Sequence, residues 1–159
     1  MFNLGDIIDL AVRIEKNGEN TYRRAMKEVS NPLLSSALHR LAEDELEHEK
    51  WFTALREHVD PTGVDPELEE MGKTILQGIL GDQAFSISEA DFSKIENIKD
   101  LLELSIEFEK DTILFYEMII ACIEDQNTIN RLNEIIEEEN SHVRLLAESL
   151  EKGELPPVD

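Results

Sequence analysis

The chain has one cysteine, Cys122, among 159 residues. A single thiol excludes an internal disulfide, a zinc site built on paired cysteines and a rubredoxin-type iron site. Cys122 is left as a small apolar residue for the core. Glycine and proline are scarce, seven and five, and they cluster at apparent boundaries, so long uninterrupted helices are expected between them. Basic residues are outnumbered: 15 Lys and Arg against 36 Asp and Glu give a formal charge of −21. Nucleic acid and anionic membranes both need a positive surface, so neither is expected as a partner. The charge fits attraction of cations, although most of it reads as ordinary solvated surface. No apolar run reaches the roughly 18 residues that span a bilayer. The N-terminal MFNLGDIIDLAV has no basic stretch ahead of its apolar residues. No signal peptide is expected there, and the expected location is the cytoplasm.

What is present is helix. Leu, Glu, Ala, Lys and Ile dominate, and apolar residues recur at helical spacing. One all-α domain, 1–159, is expected, with helices at about 4–29, 32–58, 96–124 and 128–152. Asn3 with Asp6 resembles a capping pair, and Asn31 is the expected N-cap of the second helix, with Pro32 at its first position. Ser93 and Glu96 form a candidate capping box for the third helix. Asp125 to Asn127 read as a turn, and Gly153 with Pro156-Pro157 stop the fourth helix. Residues 59–95 are too many for a hairpin between neighbouring helices. They suit a crossover along a bundle, containing a short helix over about Pro66–Leu80.

The core stripes of these helices contain the wrong residues. In the second helix, Leu34, Leu41 and Leu55 form a seven-residue series whose missing member is His48. Leu38, Phe52 and Val59 form the adjacent series, whose missing member is Glu45. Residues three apart share a helix face, so a carboxylate and an imidazole point together into the core. Glu15 takes an apolar slot in the stripe of Ile8, Tyr22 and Val29. Glu109 does so between Ser105 and Thr112 in the third helix. Glu139 and His142 do so between Ile135 and Leu146 in the fourth. Gly18 also lies on a core stripe, where glycine costs about 1 kcal/mol relative to alanine. It suits either close packing or access beside Glu15, and close packing is the favoured reading.

One offset relates the two halves. Glu15 and Glu109, Tyr22 and Tyr116, Glu45 and Glu139, and His48 and His142 are each separated by 94 positions. In each half a lone Glu is followed, 30 residues later, by Glu-x-x-His. A single Glu-x-x-His means little in so acidic a chain. Two in register, each on a core stripe and each with an upstream core Glu, form an internal repeat whose preserved positions are polar. The remaining histidines, His39 and His58, lack a Glu three positions earlier and read as surface residues.

Four core carboxylates and two imidazoles are the ligand set of a carboxylate-bridged dinuclear metal site. Oxygen and imidazole donors suit iron or manganese. Four carboxylates balance two divalent cations, whereas two histidines alone balance four buried carboxylates poorly. By symmetry, one ion takes Glu15 and His48, the other takes Glu109 and His142, and Glu45 and Glu139 bridge them. Glu107 and Glu138 are nearby acids with poor helical phase and are excluded. Trp51, one turn after His48, reads as packing.

The segments AVRIEKNGENTY, LAEDELEHEKWF, SIEFEKDTILFY and IIEEENSHVRLL, one on each long helix, resemble the rubrerythrin/bacterioferritin type of the ferritin-like superfamily. The resemblance implies an antiparallel four-helix bundle with a long crossover between the second and third helices. It implies two iron ions held by Glu15, Glu45, His48, Glu109, Glu139 and His142 that react with peroxide or O₂. It also implies that Tyr22 and Tyr116 hydrogen-bond ligand carboxylates across the site; a core aromatic with a satisfied hydroxyl is an equal alternative for either. Rubrerythrins proper carry a rubredoxin module with CxxC pairs, which this chain lacks, so electrons are expected from a separate donor such as a rubredoxin. Related bundles commonly pair, and a homodimer is expected. Three classes of function fit: a di-iron oxidoreductase (peroxide reduction or ferroxidase chemistry), a non-catalytic iron-handling protein, and a purely structural bundle.

Overall fold

The structure is a computed structural model that describes residues 4–59, 98–121 and 123–152. Every described element is a helix: α1 Leu4–Glu28, α2 Pro32–Glu57, α3 Ile98–Ala121 and α4 Gln126–Lys152. None is long and apolar enough to cross a membrane. The expected short helix at Pro66–Leu80, the caps at Asn3 and Ser93, and Cys122 lie outside the described residues.

The helix ends follow local chemistry. The Asn31 side chain accepts from the backbone N–H groups of Leu33 (2.9 Å) and Leu34 (3.4 Å), and Pro32 opens α2 where a missing N–H costs nothing. The fourth helix begins two residues before the expected position. Asp125 is its cap, with Oδ2 accepting from the Thr128 N–H at 2.9 Å and from the Thr128 hydroxyl at 2.7 Å. These bonds hold the Asp125 carboxyl below its usual range. The third helix ends at Ala121, short of the expected 124.

The buried apolar side chains form two clusters. One contains Ile7, Ile8, Ile14, Phe52, Phe115, Ile119 and Leu132. The other contains Ala25, Leu34, Leu38, Leu41, Leu102 and Leu146. Along α1 and α4 the chain passes from the first cluster to the second, and along α2 and α3 from the second to the first. Sequential pairs α1/α2 and α3/α4 are therefore antiparallel hairpins, while α2 and α3 run the same way. The end of α2 and the start of α3 therefore lie toward opposite ends of the bundle; a helix of 26 residues is about 39 Å long.

Between the two clusters lies a polar layer: Glu15 on α1, Glu45 and His48 on α2, Glu109 on α3, and Glu139 and His142 on α4, all buried. Fully burying a large apolar side chain stabilises by roughly 1.5–3 kcal/mol. The clusters on either side supply the stability against which this layer is held.

Candidate metal centre

Each of the six residues reaches the layer from a helix fixed by its apolar neighbours. Glu15 follows Ile14 and faces inward at 0 % exposure. Glu45, Glu109 and Glu139 are equally inaccessible. The six fall into two overlapping groups, Glu15, Glu45, His48 and Glu139, and Glu45, Glu109, Glu139 and His142. Within each group one donor atom per residue lies within 4.8 Å of the others. Glu45 and Glu139 belong to both, while Glu15 with His48 and Glu109 with His142 belong to one each. The 94-residue step takes Glu15, Glu45 and His48 of the first group to Glu109, Glu139 and His142 of the second.

The histidines present their Nδ1 atoms to the layer. His48 Nδ1 lies 3.0 Å from Glu139 Oε1 and 3.4 Å from Glu15 Oε2. His142 Nδ1 lies 3.0 Å from Glu139 Oε2, 3.3 Å from Glu45 Oε1 and 3.5 Å from Glu109 Oε1. These approaches lack hydrogen-bond geometry. Both Nδ1 atoms, both oxygens of Glu45 and of Glu139, and Oε2 of Glu15 and Glu109 have no hydrogen-bond partner. Stranding so many buried donors and acceptors is costly. All of them converge on one layer, and all are donors a metal accepts.

The opposite edge of each imidazole is held from outside. His48 Nε2 is 2.5 Å from Glu138 Oε2, and His142 Nε2 is 3.0 Å from Asp44 Oδ2. A carboxylate there accepts the Nε2 proton and directs the Nδ1 lone pair inward. Helical phase keeps Glu138 out of the metal groups, and nothing in the sequence singles out Asp44. The two are 94 positions apart, but in so acidic a chain two acids at that spacing carry little signal. Each precedes a core Glu and projects beside the layer, half-exposed, to meet the histidine of the other hairpin. Arg131 Nη1 adds to Glu138 at 3.3 Å. The His48 hydrogen bond, against burial and with Arg131 assisting, holds the Glu138 carboxyl down at about 2. Glu107 is exposed and is not in either group.

The two tyrosines also cross between hairpins. The Tyr22 hydroxyl donates to Glu109 Oε1, and the Tyr116 hydroxyl donates to Glu15 Oε1. Burial, then the neighbouring carboxylates, raise both phenols well above their ordinary range, so they remain donors. Each holds one oxygen of a carboxylate and leaves the other facing the layer. Trp51 packs edge-on against Phe52 at a centroid separation of 5.0 Å, as expected of a packing residue. His39 and His58 are exposed.

The electrostatics of the layer are strained. Burial, followed by Glu139, Glu15 and Glu109, pushes the Glu45 carboxyl well up. Burial and then Glu139 push Glu109 up to about 8, against the pull of His142. Glu139 is lowered: burial and Glu15 oppose its charge, but His142 and His48 outweigh them. Burial also disfavours both imidazolium forms, yet the carboxylates around them raise both histidines. A cluster that can reach neutrality only by gathering protons fits a pair of divalent cations in their place.

The model of the Rubrerythrin family matches residues 6–150. The chain belongs to the rubrerythrin family. A crystal structure from Thermotoga maritima, described as a candidate ferritin-like diiron-carboxylate protein, superposes with a TM-score of 0.72. The two are 21 % identical, and the match covers 96 % of this chain and 97 % of that one. At that identity the likeness bears on the fold, and it agrees with the four-helix bundle. No curated protein matches the chain. For a rubrerythrin-family chain, the donor set and the stranded inward atoms fit iron or a similar metal.

Proposed function

We propose that this protein is a di-iron oxidoreductase that reduces peroxide or O₂ with electrons from a separate donor. The observation that carries this reading is the sharing of Glu45 and Glu139 by two otherwise separate Glu/His groups. A bound ferrous pair would supply two electrons, one per ion, which together with two protons from solvent is what reduction of hydrogen peroxide to two waters consumes. Glu15 and His48 would hold one ion and Glu109 and His142 the other, with Glu45 and Glu139 common to both; manganese suits the same donors.

The surrounding residues support this chemistry. The four carboxylates offset the charge of two dications, so the loaded layer is neutral. Glu138 and Asp44 fix the tautomer of the histidines through Nε2. Tyr22 and Tyr116 hold Glu109 and Glu15 by one oxygen each, which restrains the carboxylates while leaving a free oxygen on each. The apolar clusters on either side, including Phe52 and Leu41, keep bulk water from the layer.

Asp44→Ala and Glu138→Ala are each expected to weaken divalent-metal binding by about 10- to 100-fold. Calorimetric titration with Mn²⁺ measures this; unchanged affinity in both would mean that packing alone orients the histidines. The activity itself is tested by mixing the anaerobic protein, loaded with two ferrous ions, with hydrogen peroxide in a stopped-flow instrument. Oxidation much faster than that of free ferrous ion is expected. A rate equal to that of free ion would leave an iron-binding protein without turnover.

A further inference from the structure

Gly18 lies in the interior of α1, buried, at a position where glycine is among the poorest helix formers. The atoms nearest to it belong to the side chain of Glu45 on α2. A Cβ built there would stand 2.7 Å from Glu45 Oε2, 3.1 Å from Glu45 Cδ and 3.3 Å from Glu45 Cγ. The carboxylate of Glu45 therefore occupies the space a side chain would fill. Both of its oxygens lack hydrogen-bond partners at 0 % exposure.

The notch is one-sided. The 94-residue step that preserves the six core Glu and His residues and the tyrosines takes Gly18 to Thr112, whose hydroxyl donates to the Phe108 carbonyl at 2.9 Å. The two shared carboxylates are also held differently. Glu139 spans both histidines, one oxygen 3.0 Å from each Nδ1. Glu45 meets His142 Nδ1 with Oε1 at 3.3 Å and turns Oε2 toward Gly18.

We propose that Gly18 is a positioning residue for the metal pair: its missing side chain provides the clearance that Glu45 needs to lie in both ion sites. The inference rests on the dinuclear reading above. A β-carbon at position 18 displaces Glu45 and leaves Glu139 as the remaining carboxylate common to both ions. Because the notch has no counterpart at Thr112, the substitution makes the two ions unequal.

The test is Mn²⁺ titration by calorimetry of the full-length chain, its Gly18→Ala variant, and Gly18→Ala in a Glu45→Ala background. Two ions bound by the unaltered chain is the prior requirement, and failure there overturns the dinuclear reading rather than the role of Gly18. Gly18→Ala is expected to weaken the second ion by about 10- to 100-fold, the usual scale for a misplaced ligand support. The metal-free variant should melt no lower than the parent, since alanine is the better helix former. The visible spectrum of the Co²⁺-loaded variant should change with the altered coordination. In the Glu45→Ala background, Gly18→Ala should leave the remaining ion unaffected. Gly18→Ala with two equally tight ions, or the same loss whether or not Glu45 is present, would overturn the proposal. Folding of Gly18→Ala only when Glu45 is also alanine would locate the clash at that carboxylate and support it.

Discussion

Glu45→Ala is expected to hold one divalent ion where the unaltered chain holds two, with the second weakened by more than roughly 100-fold, the upper end of what losing a ligand's support costs. Glu45 is common to both Glu/His groups and fully buried. Without it, three carboxylates face two dications, and an uncompensated positive charge remains in a layer closed off by apolar clusters. The ion that stays is the one whose remaining donors are better held. The same substitution distinguishes a metal centre from a structural bundle by its effect on the empty protein. Burial and the charges of Glu139, Glu15 and Glu109 already disfavour the Glu45 carboxylate. Its removal relieves repulsion and offsets the cost of the small cavity left behind. Metal capacity should therefore fall while the metal-free melting temperature holds or rises. Metal analysis and a thermal scan of the same sample measure both. Two ions retained would show that Glu45 is not a bridge, and a collapse of the metal-free protein would show that Glu45 is there for stability.

The candidate site was legible because its residues break a pattern. Glu15, Glu45, His48, Glu109, Glu139 and His142 sit at positions that helical periodicity reserves for leucine or isoleucine, and the structure buries all of them. The tyrosines were legible as candidates only, because which carboxylate a hydroxyl reaches depends on how hairpins face one another. Tyr22 and Tyr116 each bond a glutamate of the other hairpin. Asp44 and Glu138 break no pattern: they stand at the edge of the helix face, where an acidic residue normally means solvent. Their role appears only once His48 and His142 are brought across from opposite hairpins. Gly18 was legible as a close-packed position, but that its neighbour is the Glu45 side chain depends on how α1 and α2 face one another. At the helix ends, Asn31-Pro32 was legible from local chemistry. Asp125 was assigned to a turn although its side chain caps the helix that follows. A helix N-cap and a turn share the same residue preferences.

Loading with Mn²⁺ is expected to raise the melting temperature by roughly 10–20 °C, and the increment should shrink as pH falls from 8 to 6. An ion held at about 100 times its Kd adds about 2.7 kcal/mol, two add about 5, and a domain of this size gains roughly 2–4 °C per kcal/mol. The pH dependence follows from the layer's own carboxylates and imidazoles. Burial and neighbouring carboxylates raise Glu45, Glu109 is pushed up to about 8 by burial and Glu139, and both histidines are raised by the acids around them. Below those values the groups carry protons, and they have to lose them before they can donate to an ion. Binding therefore competes with protons and strengthens as pH rises, with the Glu109 contribution levelling off above about 8. Chelation should return the melting temperature to its starting value, because the ions stabilise the native state by mass action rather than by altering the fold. The readouts are thermal scans with and without Mn²⁺ across that pH range. An increment below about 2 °C at saturating Mn²⁺, less than 1 kcal/mol by the same conversion, would mean that the six-residue layer is satisfied by its own protons and hydrogen bonds. An increment that grows toward acid pH would mean that the bound ion is not held by these carboxylates and imidazoles, since protons would then have to assist binding rather than oppose it.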